Sequence, residues 1–125
     1  MQNNNLKNKT KLKDRAYSYS IHLIEFMDTL PKDTSSQVIV KQLLRSATSI
    51  GANIIEAQAA SSKRDFTNFF TYSLKSANES LYWLGLLRDA KKIRNEKLNY
   101  LLNETQELAN ILGASILTLK GKKQV

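Results

Sequence analysis

Apolar residues recur along this chain at intervals of three and four, the period of a helix with one side against a core. Four segments carry the pattern. The first runs from about Lys13 to Leu30, with Ala16, Tyr19, Leu23, Met27 and Leu30 in line and Ile24 and Phe26 widening the stripe. Pro31, which cannot continue a helix hydrogen-bond ladder, and Asp33 close it. The second begins near Thr34 and aligns Val40, Leu43, Leu44, Ala47, Ile50, Ile54 and Ala57. Thr34 and Gln37 have the spacing of a capping box, in which the hydroxyl takes an orphan amide proton and the Gln reaches back. The third starts at Ser62, paired with Asp65, whose carboxylate suits the positive end of the helix dipole. Its stripe is Phe66, Phe69, Phe70, Ala77, Leu81, Leu84 and Leu87. The fourth starts at Asn95, a good N-cap, and aligns Leu98, Leu101, Leu102, Leu108, Leu112, Ile116 and Leu119. No period-two alternation competes with these stripes.

Connections this short force neighbouring helices to run antiparallel. The expected fold is therefore all-α, an up-down-up-down antiparallel four-helix bundle over residues 13–119. In that topology both chain ends lie at one end of the bundle, together with the second connection and its Lys63 and Arg64. A basic segment at 1–12, expected to be disordered, precedes the bundle, and a second basic tail at 120–125 follows it.

Charge sharpens this picture. The net charge is +8, but +7 of it sits in residues 1–15 and 120–125, on Lys7, Lys9, Lys11, Lys13, Arg15, Lys120, Lys122 and Lys123 against Asp14. The body between is nearly neutral. Cationic arms of this kind are either solubilising tails without a partner or a footprint for nucleic acid, where lysines displace counterions from phosphates. Membrane-surface binding is less supported, because the tails lack aromatic or leucine anchors. A third basic group, Arg88, Lys91, Lys92, Arg94 and Lys97, falls at the opposite end and is the fallback site.

Other chemistry is scarce. The 125 residues fit one domain with its own core. There is no cysteine, so disulfides and thiolate metal sites are excluded, and the lone His22 rules out a histidine cluster. The Asn- and Lys-rich start is unlike a signal peptide, and no apolar run could span a bilayer, which points to a soluble cytoplasmic protein. A Gly-rich phosphate loop and the Glu-x-x-His pairs of di-iron bundles are both absent. Glu56 and Glu79 could be paired as acid and base, but nothing else supports an active site. No catalytic residue, metal or cofactor is expected.

Helices two and three carry the specific motifs: Q-L-L-R-S-A-T-S-I-G-A-N-I-I-E-A-Q from Gln42, S-K-R-D-F at 62–66, and A-N-E-S-L-Y-W-L-G-L-L-R-D-A at 77–90. Over about residues 16–119 the chain closely resembles the small four-helix-bundle proteins related to the 23S ribosomal RNA intervening-sequence protein. The resemblance implies a bundle that assembles as a ring, often of five subunits. Some members are encoded inside intervening sequences of ribosomal RNA genes. Related bundles serve retroelement reverse transcriptases as accessory factors, which implies nucleic-acid binding. For most members no activity is established, and no catalytic residue carries over. Lys91 departs from the glycine that close relatives often have after the Asp-Ala pair, which bears on where helix three ends.

One further pattern needs a reading. Gln42, Ser46, Ser49, Asn53 and Glu56 are spaced 4, 3, 4, 3 on one face of helix two, with Arg45 beside them. This is either a solvated face or one packed in a subunit interface or polar network. The second is favoured because small residues let backbones approach and because the Lys, Glu and Arg typical of solvent-facing positions are few. Glu79 could meet Arg45, Asn53 or Gln42 across helices two and three. Trp83 turns away from the Leu81–Leu84 stripe and is a candidate subunit contact. Homo-oligomers, RNA and a protein partner are thus the expected partners. The competing reading of the whole chain is a structural or protein-interaction scaffold with no nucleic-acid role.

Overall fold

A computed structural model describes the backbone of residues 4–121 and the side chains of residues 12–121. Four helices follow one another: α1 (Asn4–Met27), α2 (Thr34–Gln58), α3 (Lys63–Asp89) and α4 (Glu96–Gly121). Among the described residues there is no strand. The cross-helix bonds fix the directions. Arg15 meets Glu104 while the His22 ring lies 5.0 Å from that of Tyr100, tilted against it, so α1 and α4 are antiparallel. Ser46 meets Ser80 while Ser73 reaches Ile50, so α2 and α3 are antiparallel as well. The start of α1, the α2–α3 connection and the end of α4 therefore share one end of the bundle.

The ends form where local chemistry places them, with one shift. Ser62 caps α3 by accepting from the Asp65 amide at 3.0 Å, and Asn95 caps α4 by accepting from the Leu98 amide at 2.9 Å. At α2, however, the cap is Asp33 and not Thr34: Asp33 has extended backbone, and its carboxylate accepts from the Ser36 amide. A carboxylate accepts more strongly than a hydroxyl at the positive end of a helix, so the aspartate one residue upstream takes the role. Lys91, reaching over from the α3–α4 connection, donates to Asp33 at 2.6 Å. That bond, with help from Ser36 and Ser35, holds the Asp33 carboxyl well below the usual carboxylate range.

The core follows the stripes closely. Ala16, Tyr19, Leu23, Phe26, Leu43, Ala47, Ile50, Ile54, Ala77, Leu84, Leu87, Leu98, Leu101, Leu108 and Leu112 are all essentially inaccessible. Leu30 stays buried although α1 stops at Met27, because a turn closed by the Thr29 and Leu30 amides folds it back under the helix end. Two expected core residues lie elsewhere. Ile24 and Leu44 are exposed, since each sits about 100° round its helix from the centre of the stripe. Ile39 fills the inward position of the first turns of α2 instead. Leu81, with Val40, Phe66, Phe69, Leu102 and Leu119, is only half-buried at the edges of the core.

Candidate functional site

The α2–α3 seam is where the polar stripe resolves. Ser46 is fully buried and faces α3, with its hydroxyl 2.9 Å from that of Ser80. Ser73 donates to the Ile50 carbonyl at 2.8 Å, and Ser80 donates to the Ser76 carbonyl at 2.8 Å. Three buried hydroxyls thus lie along one seam with every one bonded, which makes their burial tolerable. Small side chains at these positions, with Ala47 and Ala77, set the two helices close together.

At the rim of this seam the charged members of the stripe meet. Arg45 donates to Glu79 across the helices and to the Gln42 side-chain oxygen at 3.2 Å. Trp83 donates its indole proton to the same Glu79 carboxylate at 2.9 Å, and Tyr82 stands edge-on to the Trp83 ring at 5.0 Å. Gln42, Arg45, Glu79 and Trp83 therefore form one network, half-exposed to solvent. The remaining stripe residues turn back to their own helix: Ser49 donates to the Arg45 carbonyl and Asn53 to the Ser49 carbonyl. Glu56 is exposed and stands apart from Glu79 and its network.

The basic residues divide into two groups. Lys63, Arg64 and Lys120 are exposed at the end where α1 starts and α4 finishes, and Lys13, also exposed, lies nearer the middle of α1. The side chains of Lys7, Lys9, Lys11, Lys122 and Lys123 lie outside the described residues. Arg15, which the sequence groups with the basic arm, is paired within the fold. Its guanidinium makes two bonds to Glu104, at 2.6 and 2.9 Å, with Glu107 3.8 Å away. Glu104 raises the Arg15 pKa further, first by that hydrogen bond, so the charge is held and internally neutralised. Sequence spacing carries no sign of this pair, because its members are 89 residues apart. At the opposite end the fallback cluster is partly neutralised as well. Arg88 pairs with Asp89, Lys91 with Asp33, and Lys92 donates to the Asp89 carbonyl. Only Arg94 and Lys97 of that group are exposed without such a bond among the described residues.

Beside the Arg15 pair lies an interior bond that the apolar pattern conceals. The Tyr19 and Thr105 hydroxyls are 2.6 Å apart, both buried. Thr105 gives its proton to the Leu101 carbonyl at 2.5 Å, which makes Tyr19 the donor. Burial pushes the Tyr19 phenol up to about 12. A shallow cleft near the far end, about 240 Å³, is lined by His22, Glu25, Glu96, Lys97, Tyr100 and Leu101. Among the described residues no group of three or more His, Cys, Asp or Glu could hold a metal ion. No helix there is long and apolar enough to cross a membrane.

Fold and surface together define a small antiparallel helical bundle whose interior polar groups tie helix to helix. The model of the 23S rRNA-intervening sequence protein family matches residues 8–114, and the chain belongs to that family. It is also similar to a crystal structure of a protein of unknown function from the S23 ribosomal protein family of Bacteroides thetaiotaomicron. The two are 37% identical with a TM-score of 0.77, over 84% of this chain and 97% of that one. No curated protein matches the chain. Neither the family description nor that of the structural neighbour names a catalytic activity.

Proposed function

We propose that this chain is a non-catalytic bundle that assembles with copies of itself and holds nucleic acid, RNA foremost, at its basic end. The observation that carries the reading is the convergence of cations. Antiparallel order brings exposed Lys63, Arg64 and Lys120 to the end where α1 starts and α4 finishes, with exposed Lys13 farther along α1 and further lysines in both terminal segments of the sequence. The body contributes almost no net charge, and Arg15 is already paired with Glu104. The family description refers to an intervening sequence of ribosomal RNA, and the neighbour's to a ribosomal protein family, so RNA is the first ligand to try. Lysines on flexible stems position a phosphate backbone and read no bases, so binding is expected to be sequence-tolerant and steeply salt-dependent. The test is RNA binding by the full chain across a salt series. Replacing Lys7, Lys9, Lys11, Lys122 and Lys123 together by Gln should lower affinity at low salt. It should also flatten the log–log salt slope by about 0.7–0.9 for each phosphate no longer neutralised. Unchanged affinity and slope would reduce the termini to solubilising arms and leave the scaffold reading.

A further inference from the structure

One stripe of α4 runs the length of the bundle to its basic end without an acidic residue. Asn99, Asn103, Gln106, Asn110, Gly113 and Leu117 follow one another at intervals of four and three, so they share one face of the helix. Lys120, the next step on the same line, is exposed at the end that also carries Lys63 and Arg64. Glu104, bonded to Arg15, marks the α1 side of α4, and Glu107 lies 3.8 Å from the same guanidinium. The stripe falls on the other flank, exposed at every position except the half-buried Gly113. A side-chain carbon at Gly113 would meet nothing within 4 Å, so the stripe is open there. Solvent-facing helix positions usually carry Lys, Glu or Arg. This face carries amides instead, and asparagine is a poor helix former, so the fold of α4 gives no reason for them.

Two of the amides are already arranged. Gln106 donates from its Nε2 to the Asn110 Oδ1 at 3.0 Å. That leaves the Gln106 Oε1 as an acceptor and the Asn110 Nδ2 as a donor one turn apart, neither bonded to another side chain among the described residues. A donor and an acceptor so placed match a hydroxyl that takes one hydrogen bond and gives another. The ribose 2′-hydroxyl is such a group, and DNA lacks it. An A-form RNA duplex displays its 2′-hydroxyls across a wide, shallow minor groove, which an uncharged helix face can approach closely. The stripe is about 30 Å long, at ~1.5 Å per residue. It holds no aromatic ring, so the unstacked bases of a single strand would find nothing on it to stack against. Lys120, Lys63 and Arg64, at its end, are placed for the phosphates that border the groove.

We infer that the α4 stripe from Asn99 to Lys120 lies along the minor groove of an RNA duplex, with Gln106 and Asn110 hydrogen-bonding a ribose 2′-hydroxyl. The inference rests on the RNA reading above and adds the form of the RNA, the face that holds it and the group that separates it from DNA. Neutral amides displace no counterions, so they set a preference for RNA without adding to the salt slope.

The experiment compares the full chain on an RNA duplex, a DNA duplex of the same sequence and the single RNA strand, across a salt series. The RNA duplex should bind about tenfold more tightly than either of the others. Gln106→Ala together with Asn110→Ala should remove most of the preference over DNA by lowering RNA affinity alone, with DNA affinity and both salt slopes unchanged. Both positions are exposed and alanine is the better helix former, so helicity should be kept. Gly113→Leu, which fills the open part of the stripe and favours the helix, should weaken binding of the RNA duplex by a similar factor. Equal affinity for the two duplexes, tighter binding of the single strand, a preference that survives the double substitution or unchanged affinity in Gly113→Leu would each overturn this inference and keep the RNA reading. Absence of RNA binding at low salt would overturn both.

Discussion

Arg15 and Glu104, one midway along α1 and the other in the first half of α4, are joined by two parallel hydrogen bonds that close the bundle along its α1–α4 side. The Glu104 side chain is only 12% exposed, so it is left in a poor solvent if Arg15 is lost. We expect Glu104→Ala and Arg15→Ala each to cost about 1–2 kcal/mol in urea unfolding, with a double-mutant cycle showing that most of the loss is shared. Arg15→Gln should leave RNA affinity nearly unchanged. If it weakens binding as much as loss of a terminal lysine does, Arg15 exchanges Glu104 for phosphate when RNA arrives.

The Tyr19 phenol gives a pH signature. Its pKa in the folded chain is about 12, against about 10 when unfolded. The folded state therefore keeps a proton that the unfolded state gives up in that interval. The stability contribution is full below pH about 10 and is lost as pH rises toward about 12. Thermal unfolding followed from mildly alkaline pH upward should show this decline, and Tyr19→Phe should remove its share of the slope. The same substitution should cost about 1 kcal/mol at neutral pH, because Thr105 loses the proton it accepts.

Lys92, in the connection that follows α3, has a φ of 59°, left-handed backbone in which a side chain is strained and glycine is not. The Ile93 amide then turns back to the Leu87 carbonyl at 3.1 Å. Lys92→Gly should raise stability by about 1 kcal/mol, and Lys91→Gly should not, since the positive φ is at 92 alone among non-glycine residues described. Equal effects at both positions would mean that the turn can shift by one residue.

Ser46 tests the seam. Ser46→Leu pushes a larger side chain against Ser80, where the helices are close, and should cost about 1–3 kcal/mol. Ser49→Lys, beside it but half-exposed, should be far milder in stability. It should also disrupt assembly if copies pack through the polar stripe of α2, because a charge would enter a close contact without a partner. Unchanged assembly in Ser49→Lys would place the contact elsewhere.

Much of the bundle is legible in the chain because the 3.6-residue period, the caps at Ser62 and Asn95 and the short connections all agree on one arrangement. The departures have local causes. Ile24 and Leu44 look like core because an apolar residue one step beside a stripe resembles a wider stripe, and a one-dimensional pattern does not say how wide the buried arc is. Thr34 competes with Asp33 because its capping-box spacing is complete, whereas Asp33 also draws on Lys91, a partner 58 residues away. Ser46 belongs to a polar stripe for which the chain alone leaves a solvated face, a subunit interface and a polar network open. Its burial depends on Ser80, which stands opposite only once α2 and α3 are paired. The contact of Glu79 with Arg45 can be anticipated, since both lie on facing flanks of consecutive antiparallel helices. The Arg15–Glu104 and Tyr19–Thr105 pairs cannot, because their separation in the chain hides which residues become neighbours.

The serine seam also bears on the order in which the bundle closes. Its partners, 23 and 34 residues apart, are joined through a short connection between Gln58 and Lys63, so α2 and α3 can meet at small loop-closure cost. The bonds that hold α1 to α4 span 86 and 89 residues and must wait for nearly the whole chain. Hydrogen exchange on the native protein should accordingly find the slowest amides around Ile50, Ala77 and Leu84 and faster ones along α1. The helix that carries the basic arm is then also the helix that opens first, which lets it adjust to whatever it meets while the α2–α3 hairpin stays shut.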